Sequence, residues 1–121
     1  MSLTARHLEA NGIPTVVLGC GRDIVESAGV ARFVFSDFPL GNSAGKPFDL
    51  ESQRGIFAMA LDLLDGARAP RTTVQTPYRW AEDAAWKRDF YRLDMTPEQI
   101  ARAREEMDGQ KAVLAAKLAS G

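Results

Sequence analysis

Only one cysteine and one histidine occur among the 121 residues, Cys20 and His7. A lone cysteine rules out an internal disulfide, and the lack of any CxxC pair removes thioredoxin-like exchange and a cysteine-based structural zinc site. No His/Asp/Glu cluster has metal-ligand spacing, so neither a metal nor another cofactor is expected. Excess charge is missing as well: fifteen basic and sixteen acidic residues leave a net charge of -1. That balance supplies no general field to draw nucleic acid or an anionic membrane, and neither is an expected partner. It also leaves little repulsion between copies, which favours self-association or a permanent partner. No run approaches the roughly 20 apolar residues needed to cross a bilayer. The opening MSLTARHLEANG interrupts its apolar residues with charges, unlike a secretory signal, so the cytoplasm is the expected location.

What remains is an ordinary globular composition, 45% hydrophobic and 26% charged. Thr4 to Ala10 reads as a short helix capped by Thr4 and stopped by Asn11-Gly12, with Leu3, Leu8 and Ile13 as core contacts. Ile13-Pro14 forces an extended entry into Thr15 to Leu18, a strand expected to be buried on both faces. Gly19-Cys20-Gly21 follows. Arg22 to Ala28 then has the length of a helix, with Ile24 and Val25 facing inward and Gly29 ending it. A second strand, Arg32 to Asp37, completes a β-α-β pattern with parallel strands.

Phe38 to Pro47 lacks periodicity and holds two glycines and two prolines, marking a loop of constrained backbone. A helix is expected to start at Asp49 to Ser52 and run through Ile56, Phe57, Ala60, Leu61 and Leu64 to Asp65-Gly66. Thr72 to Thr76 reads as a strand or an extended arm. Glu82 to Tyr91 reads as a helix, with Trp86, Phe90 and Tyr91 as large contact surfaces. Thr96, Pro97 and Gln99 form a capping box with proline at the first helical position, and Met95 and Ile100 are spaced for a hydrophobic staple. Asp108-Gly109 is a candidate break before a last helical stretch, Gln110 to Leu118. The expected architecture is an α/β fold: a small parallel-sheet, Rossmann-like (flavodoxin-like) half-domain over residues 1–95, with a helical C-terminal extension over 96–121. Few apolar residues lie between Ala101 and Gln110, so the extension is either a solvated arm or a surface completed by another chain.

In parallel α/β sheets ligands gather beyond the carboxyl ends of strands, and both glycine-bearing turns fall there. Gly19, Gly21, Arg22, Asp37, Gly41, Asn42, Ser43 and Gly45 are therefore the candidate residues for a small-molecule substrate. Backbone N–H groups near Gly41, Gly45 and the next helix suit a carboxylate, and Arg22 offers a second anion contact. The plainer account is a loop packed over a strand edge or a partner. Cys20, at a helix start, is the one candidate catalytic residue, with packing or ligand lining as a small buried hydrophobe the plainer role. His7 lies far from both turns in sequence. Asp23, Asp37 and Asp49 each reach the strand-end crevice in this reading, with capping or solvation as the plainer role. Arg71 and Arg79 interleave with Tyr78, Trp80 and Trp86, which favours a protein interface over single-stranded nucleic acid.

Three ordered segments carry a family likeness: Leu8-Glu9-Ala10-Asn11-Gly12-Ile13-Pro14-Thr15-Val16-Val17, then Gly29-Val30-Ala31-Arg32-Phe33, then Phe38-Pro39-Leu40-Gly41 with Gly45-Lys46-Pro47. Together, over about Leu3 to Leu64, they resemble the selenoprotein B family of glycine, sarcosine, betaine and D-proline reductases, in particular its C-terminal region and short stand-alone relatives. The resemblance implies an α/β subunit of a system that reductively breaks a carbon–nitrogen bond in small amino-acid-derived substrates. Catalytic members carry a U/C-x-x-C type arrangement; here Asp23 stands three positions after Cys20. Either the implied redox cysteine or selenocysteine belongs to a second protein subunit and this chain shapes a split active site, or this branch has changed its chemistry. Two alternatives stay open: a non-catalytic carboxylate-binding or structural homo-oligomer joined through Trp80 to Tyr91, and an independent cysteine-dependent enzyme.

Overall fold

The computed structural model describes residues 1–91 and 96–120. It divides into two compact units, Met1–Asp83 and Ala84–Gly121. The first is a small open α/β domain in the order α1 (Ser2–Ala10), β1 (Val17–Gly19), α2 (Arg22–Ala28), β2 (Arg32–Phe35), α3 (Leu50–Gly66) and β3 (Thr72–Gln75). The three strands are all parallel, in the order β1-β2-β3, with Val17 opposite Phe33 and Phe33 opposite Thr73.

Alternation along the strands divides the core into two layers. Val17 and Phe33 join Ala5 and Val30 on one face, with Val25 of α2 packed against them. Val34 joins Phe38, Ile56, Ala60 and Leu63 on the other, where Leu18, Cys20, Val74, Tyr78 and Trp80 close around it. Phe33 and Ile56 are almost wholly withdrawn from water, and each such side chain contributes about 2–3 kcal/mol.

This layering fixes the path of the chain. α2 crosses from β1 to β2 over the Phe33 face, and α3 crosses from β2 to β3 over the Val34 face, while the strands step in one direction throughout. The two crossovers therefore have opposite hands, although about 98% of such connections are right-handed. A doubly wound half-domain built from consecutive right-handed units would carry both helices on one face.

Several local expectations are corrected. β1 begins at Val17, not Thr15, because the Thr15 N–H and hydroxyl are both taken by Glu9 Oε1, at 2.6 and 3.0 Å. β2 ends at Phe35, before Asp37, because the chain turns at once: the Phe38 N–H donates to Ser36 O at 2.8 Å. α1 starts at Ser2 with Met1 as an N-cap that makes no side-chain bond, so Thr4 lies within the helix. Its buried residue is Ala5, whose small size allows close approach, while Leu3 and Ile13 are exposed. In α2 it is Val25 that turns inward, and Ile24 is exposed.

Other signals hold. Gly29 ends α2 in the left-handed region with φ of 73°, and Asp49 caps α3 by accepting from the Ser52 N–H. The extended reading of Thr72 to Thr76 is a strand over Thr72–Gln75.

The second unit holds α4 (Ala85–Tyr91) and α5 (Pro97–Ser120). The capping box is formed: Thr96 N–H donates to Gln99 Oε1 at 2.8 Å, and Gln99 N–H to Thr96 Oγ1 at 3.3 Å. The expected break at Asp108-Gly109 is absent and α5 runs through it; one glycine in an exposed helix costs only about 1 kcal/mol relative to alanine. Met95 of the expected staple, and with it the expected boundary at 95/96, lies outside the described residues, as do the side chains of Phe90, Tyr91 and Ile100. Among the described residues no helix is long and apolar enough to cross a membrane.

Candidate functional site

Parallel pairing sends the ends of all three strands to one rim. Cys20 leaves β1 there, Ser36 to Phe38 leave β2, and Thr76 to Trp80 leave β3. The ladder continues a step beyond the strands, with Ser36 N–H on Gly19 O at 3.0 Å and Thr76 N–H on Phe35 O at 2.8 Å. Beneath the rim the buried Thr76 hydroxyl donates to Ser36 Oγ at 3.3 Å. Phe38 folds back over the core, its ring 5.5 Å from that of Trp80.

From Phe38 the loop makes two successive tight turns. Asn42 N–H and Asn42 Nδ2 both donate to Pro39 O, at 3.1 and 3.3 Å, and Gly45 N–H donates to Asn42 O at 3.2 Å. Gly41 and Gly45 take φ of 95° and 123°, backbone that side chains with a Cβ rarely adopt. At Gly45 space is a second constraint, since a Cβ would lie 2.8 Å from the backbone of Gln53. The loop is then tied to α3: Lys46 N–H donates to Ser52 Oγ at 3.1 Å, and Gln53 Nε2 donates to Lys46 O at 2.7 Å.

Between loop and helix lies an open cleft of about 420 Å³, lined by Leu18, Gly41, Asn42, Ala44, Gly45, Pro47, Gln53 and Phe57. Its size and its apolar walls with a few polar groups suit a small organic molecule. Among the described residues no group of three or more His, Cys, Asp or Glu side chains is placed to hold a metal ion.

Cys20 sits half-buried at this rim. Burial pushes its thiol up from the usual cysteine range, and the Asp37 carboxylate acts in the same sense. Backbone N–H groups of Phe38 and Asn42 face the sulfur and oppose that shift without cancelling it. At neutral pH Cys20 is therefore a protonated thiol.

The structure thus brings together Cys20, Asp37, Gly41, Asn42 and Gly45, with Ser43 half-buried between the two turns. Three other candidates stand apart. Gly19 fits against the Phe33 ring, where a Cβ would come within 2.9 Å of Cε2. Gly21 is the N-cap of α2. Arg22 is exposed, pairs with Glu26 at 3.0 Å and lies over the Phe35 ring at 5.9 Å, on the Phe33 face of the sheet. Tyr78 and Trp80 are engaged within the chain, Tyr78 against α3 at Gly55 and Trp80 on Phe38. Sequence reasoning missed Gln53 and Phe57. Phe57 stands one position beyond Ile56, which is 100° around the helix and enough to turn it from core to cleft.

Among curated proteins the chain is similar to D-proline reductase subunit gamma of Acetoanaerobium sticklandii. The two are 30% identical over 78 residues, which make up 64% of this chain and 32% of the relative. The chain is a distant, partial relative of that reductase subunit. It spans about a third of the relative's length. No family model matches, and no solved structure matches.

Proposed function

We propose that this chain is the pocket-forming subunit of a selenoprotein B-related, reductase-like complex in the cytoplasm, acting on a small amino-acid-derived substrate. The redox thiol or selenol comes from another chain. The observation that supports this reading is the meeting of the Cys20 turn and the Phe38 to Gly45 loop at one strand-end rim, beside a cleft of about 420 Å³. In open α/β sheets such strand-end rims are where ligands gather. Gly41 and Gly45 shape the wall, and Asn42 and Ser43 donate or accept hydrogen bonds. One N–H of Asn42 Nδ2 donates to Pro39 O, which leaves its second N–H and its Oδ1 as the groups that would meet a substrate. Asp37 adds negative charge at the rim. Cys20 stands behind the cleft wall as a neutral thiol, against the backbone of Phe38 and Asn42.

A second reading is a carboxylate-binding protein that turns nothing over, since Leu18, Gly41, Asn42, Ala44, Gly45, Pro47, Gln53 and Phe57 bring no ionisable side chain to the cleft wall. An independent cysteine enzyme draws no support from a thiol that burial holds neutral.

The test is purification of the native protein with its bound subunits, followed by mass analysis and a reductase assay with amino-acid-derived substrates. The expected result is a second polypeptide bearing a redox cysteine or selenocysteine, with turnover only in the mixture. Recovery of this chain with nothing but copies of itself, and no turnover, would overturn the reductase reading.

A further inference from the structure

α3 carries a second apolar stripe besides the one that faces the sheet. Ile56, Ala60 and Leu63 are buried, yet Leu50, Phe57 and Leu61 are 56%, 61% and 50% exposed. At 100° per residue these three fall within about 40° of one another, forming a continuous ridge. Phe57 is at once a member of the ridge and a wall of the cleft. Close to its N-terminal end the fully exposed Phe48 is held in the left-handed region with φ of 60°, a conformation that costs of order 1–3 kcal/mol in a non-glycine residue.

Charge beside the ridge points to an occupant. Arg54 and Asp65, both exposed, are 11 residues apart, which places them within about 20° of each other on the helix, along one flank of the stripe. The midpoint between them nearly coincides with the midpoint between Phe57 and Leu61. An antiparallel copy of the same helix, related by a two-fold axis on the ridge side at the height of residue 59, would set Phe57 against the partner's Leu61 and Leu61 against the partner's Phe57. The same axis brings Arg54 to the partner's Asp65, and Asp65 to the partner's Arg54. In a parallel pair the flanks fall on opposite sides and these charges never meet. We infer that α3 is an isologous dimer interface whose occupant is a second copy of this chain, packed antiparallel and seating the partner's Leu61 beside Phe57 at the edge of the cleft. The net charge of -1 opposes such pairing only weakly. Pairing through α3 does not depend on the reductase reading, since it rests on the exposed residues of that helix alone.

The test is the mass of the full chain in solution, by light scattering or sedimentation, up to about 0.1 mM, where an interface of this modest size associates. A dimer is expected, and Phe57→Asp or Leu61→Asp should give a monomer with unchanged far-UV circular dichroism. Arg54→Asp alone and Asp65→Arg alone should each weaken association about tenfold, because both symmetric pairs become like-charge contacts. The double variant Arg54→Asp/Asp65→Arg should restore it. A monomer at the highest concentration, a dimer indifferent to Phe57→Asp, or a double variant as weak as either single one would overturn the proposal. A dimer that gives no reductase activity in any mixture with a co-purified subunit would count against the functional reading alone.

Discussion

Glu9 Oε1 lies 2.8 Å from Arg32 Nη1, at the end of the sheet opposite the cleft. The same oxygen accepts from the N–H and the hydroxyl of Thr15, so one atom ties α1, the entry to β1 and the start of β2. The Thr15 N–H, ahead of the hydroxyl and the guanidinium, holds the Glu9 carboxyl below its ordinary range, with burial acting against it. A carboxylate with a lowered folded pKa stabilises the fold fully above its unfolded value, and that contribution fades as pH falls through the folded one. Glu9→Gln should therefore cost about 1–2 kcal/mol at neutral pH and flatten the acid limb of a stability-against-pH curve measured in urea. An unchanged acid limb would show that the bridge contributes nothing.

Cys20 should resist alkylation. Because burial raises its thiol pKa, iodoacetamide should react slowly at pH 7, and the rate should climb only above the ordinary cysteine range. Rapid stoichiometric labelling at neutral pH would contradict the neutral thiol, and loss of turnover by the isolated chain on such labelling would support a cysteine enzyme.

The two loop glycines should respond unequally. Gly41 has open space where a methyl would stand and only its positive φ to lose, whereas Gly45 has both its φ and the Gln53 backbone against it. Gly41→Ala should cost about 1 kcal/mol and Gly45→Ala about 2–4 kcal/mol, read as shifts in the urea midpoint. Equal costs would mean that steric approach to α3 does not matter.

A third glycine lies inside α3. Tyr78 occupies the place where a Cβ of Gly55 would stand, which explains a helix-weakening residue at mid-helix. Gly55→Ala should lower stability by about 2 kcal/mol in spite of its better helix propensity. Pairing it with Tyr78→Ala should add less than the sum of the two single costs. Strict additivity would separate the two residues.

Much of this architecture was readable from side-chain chemistry that acts locally. The Asp49 cap, the Gly29 stop and the Thr96 to Gln99 box each satisfy backbone groups within four residues, so the sequence displays them directly. What was hidden depends on partners distant in the chain. Thr15 has every mark of a strand residue, yet its N–H belongs to Glu9 on another element. Leu3 and Ile24 are apolar enough for a core, but Ala5 and Val25 occupy the positions that face the sheet. The loop from Phe38 to Gly45 announced itself through glycine and proline. Its opposite wall did not, because Gln53 and Phe57 sit in a regular helix where nothing in their type marks them as lining residues. The route of α3 over the opposite face from α2 is a property of the assembled layers and leaves no trace in periodicity.

Lys46 is gripped at both of its backbone polar groups, its N–H by Ser52 and its carbonyl by Gln53. That double grip makes the last stretch of the loop a rigid extension of α3, set in place when the helix docks on the sheet. A molecule entering the cleft meets a surface already in its final form, so its association should be fast and should show little of the entropy loss that accompanies the ordering of a loose segment.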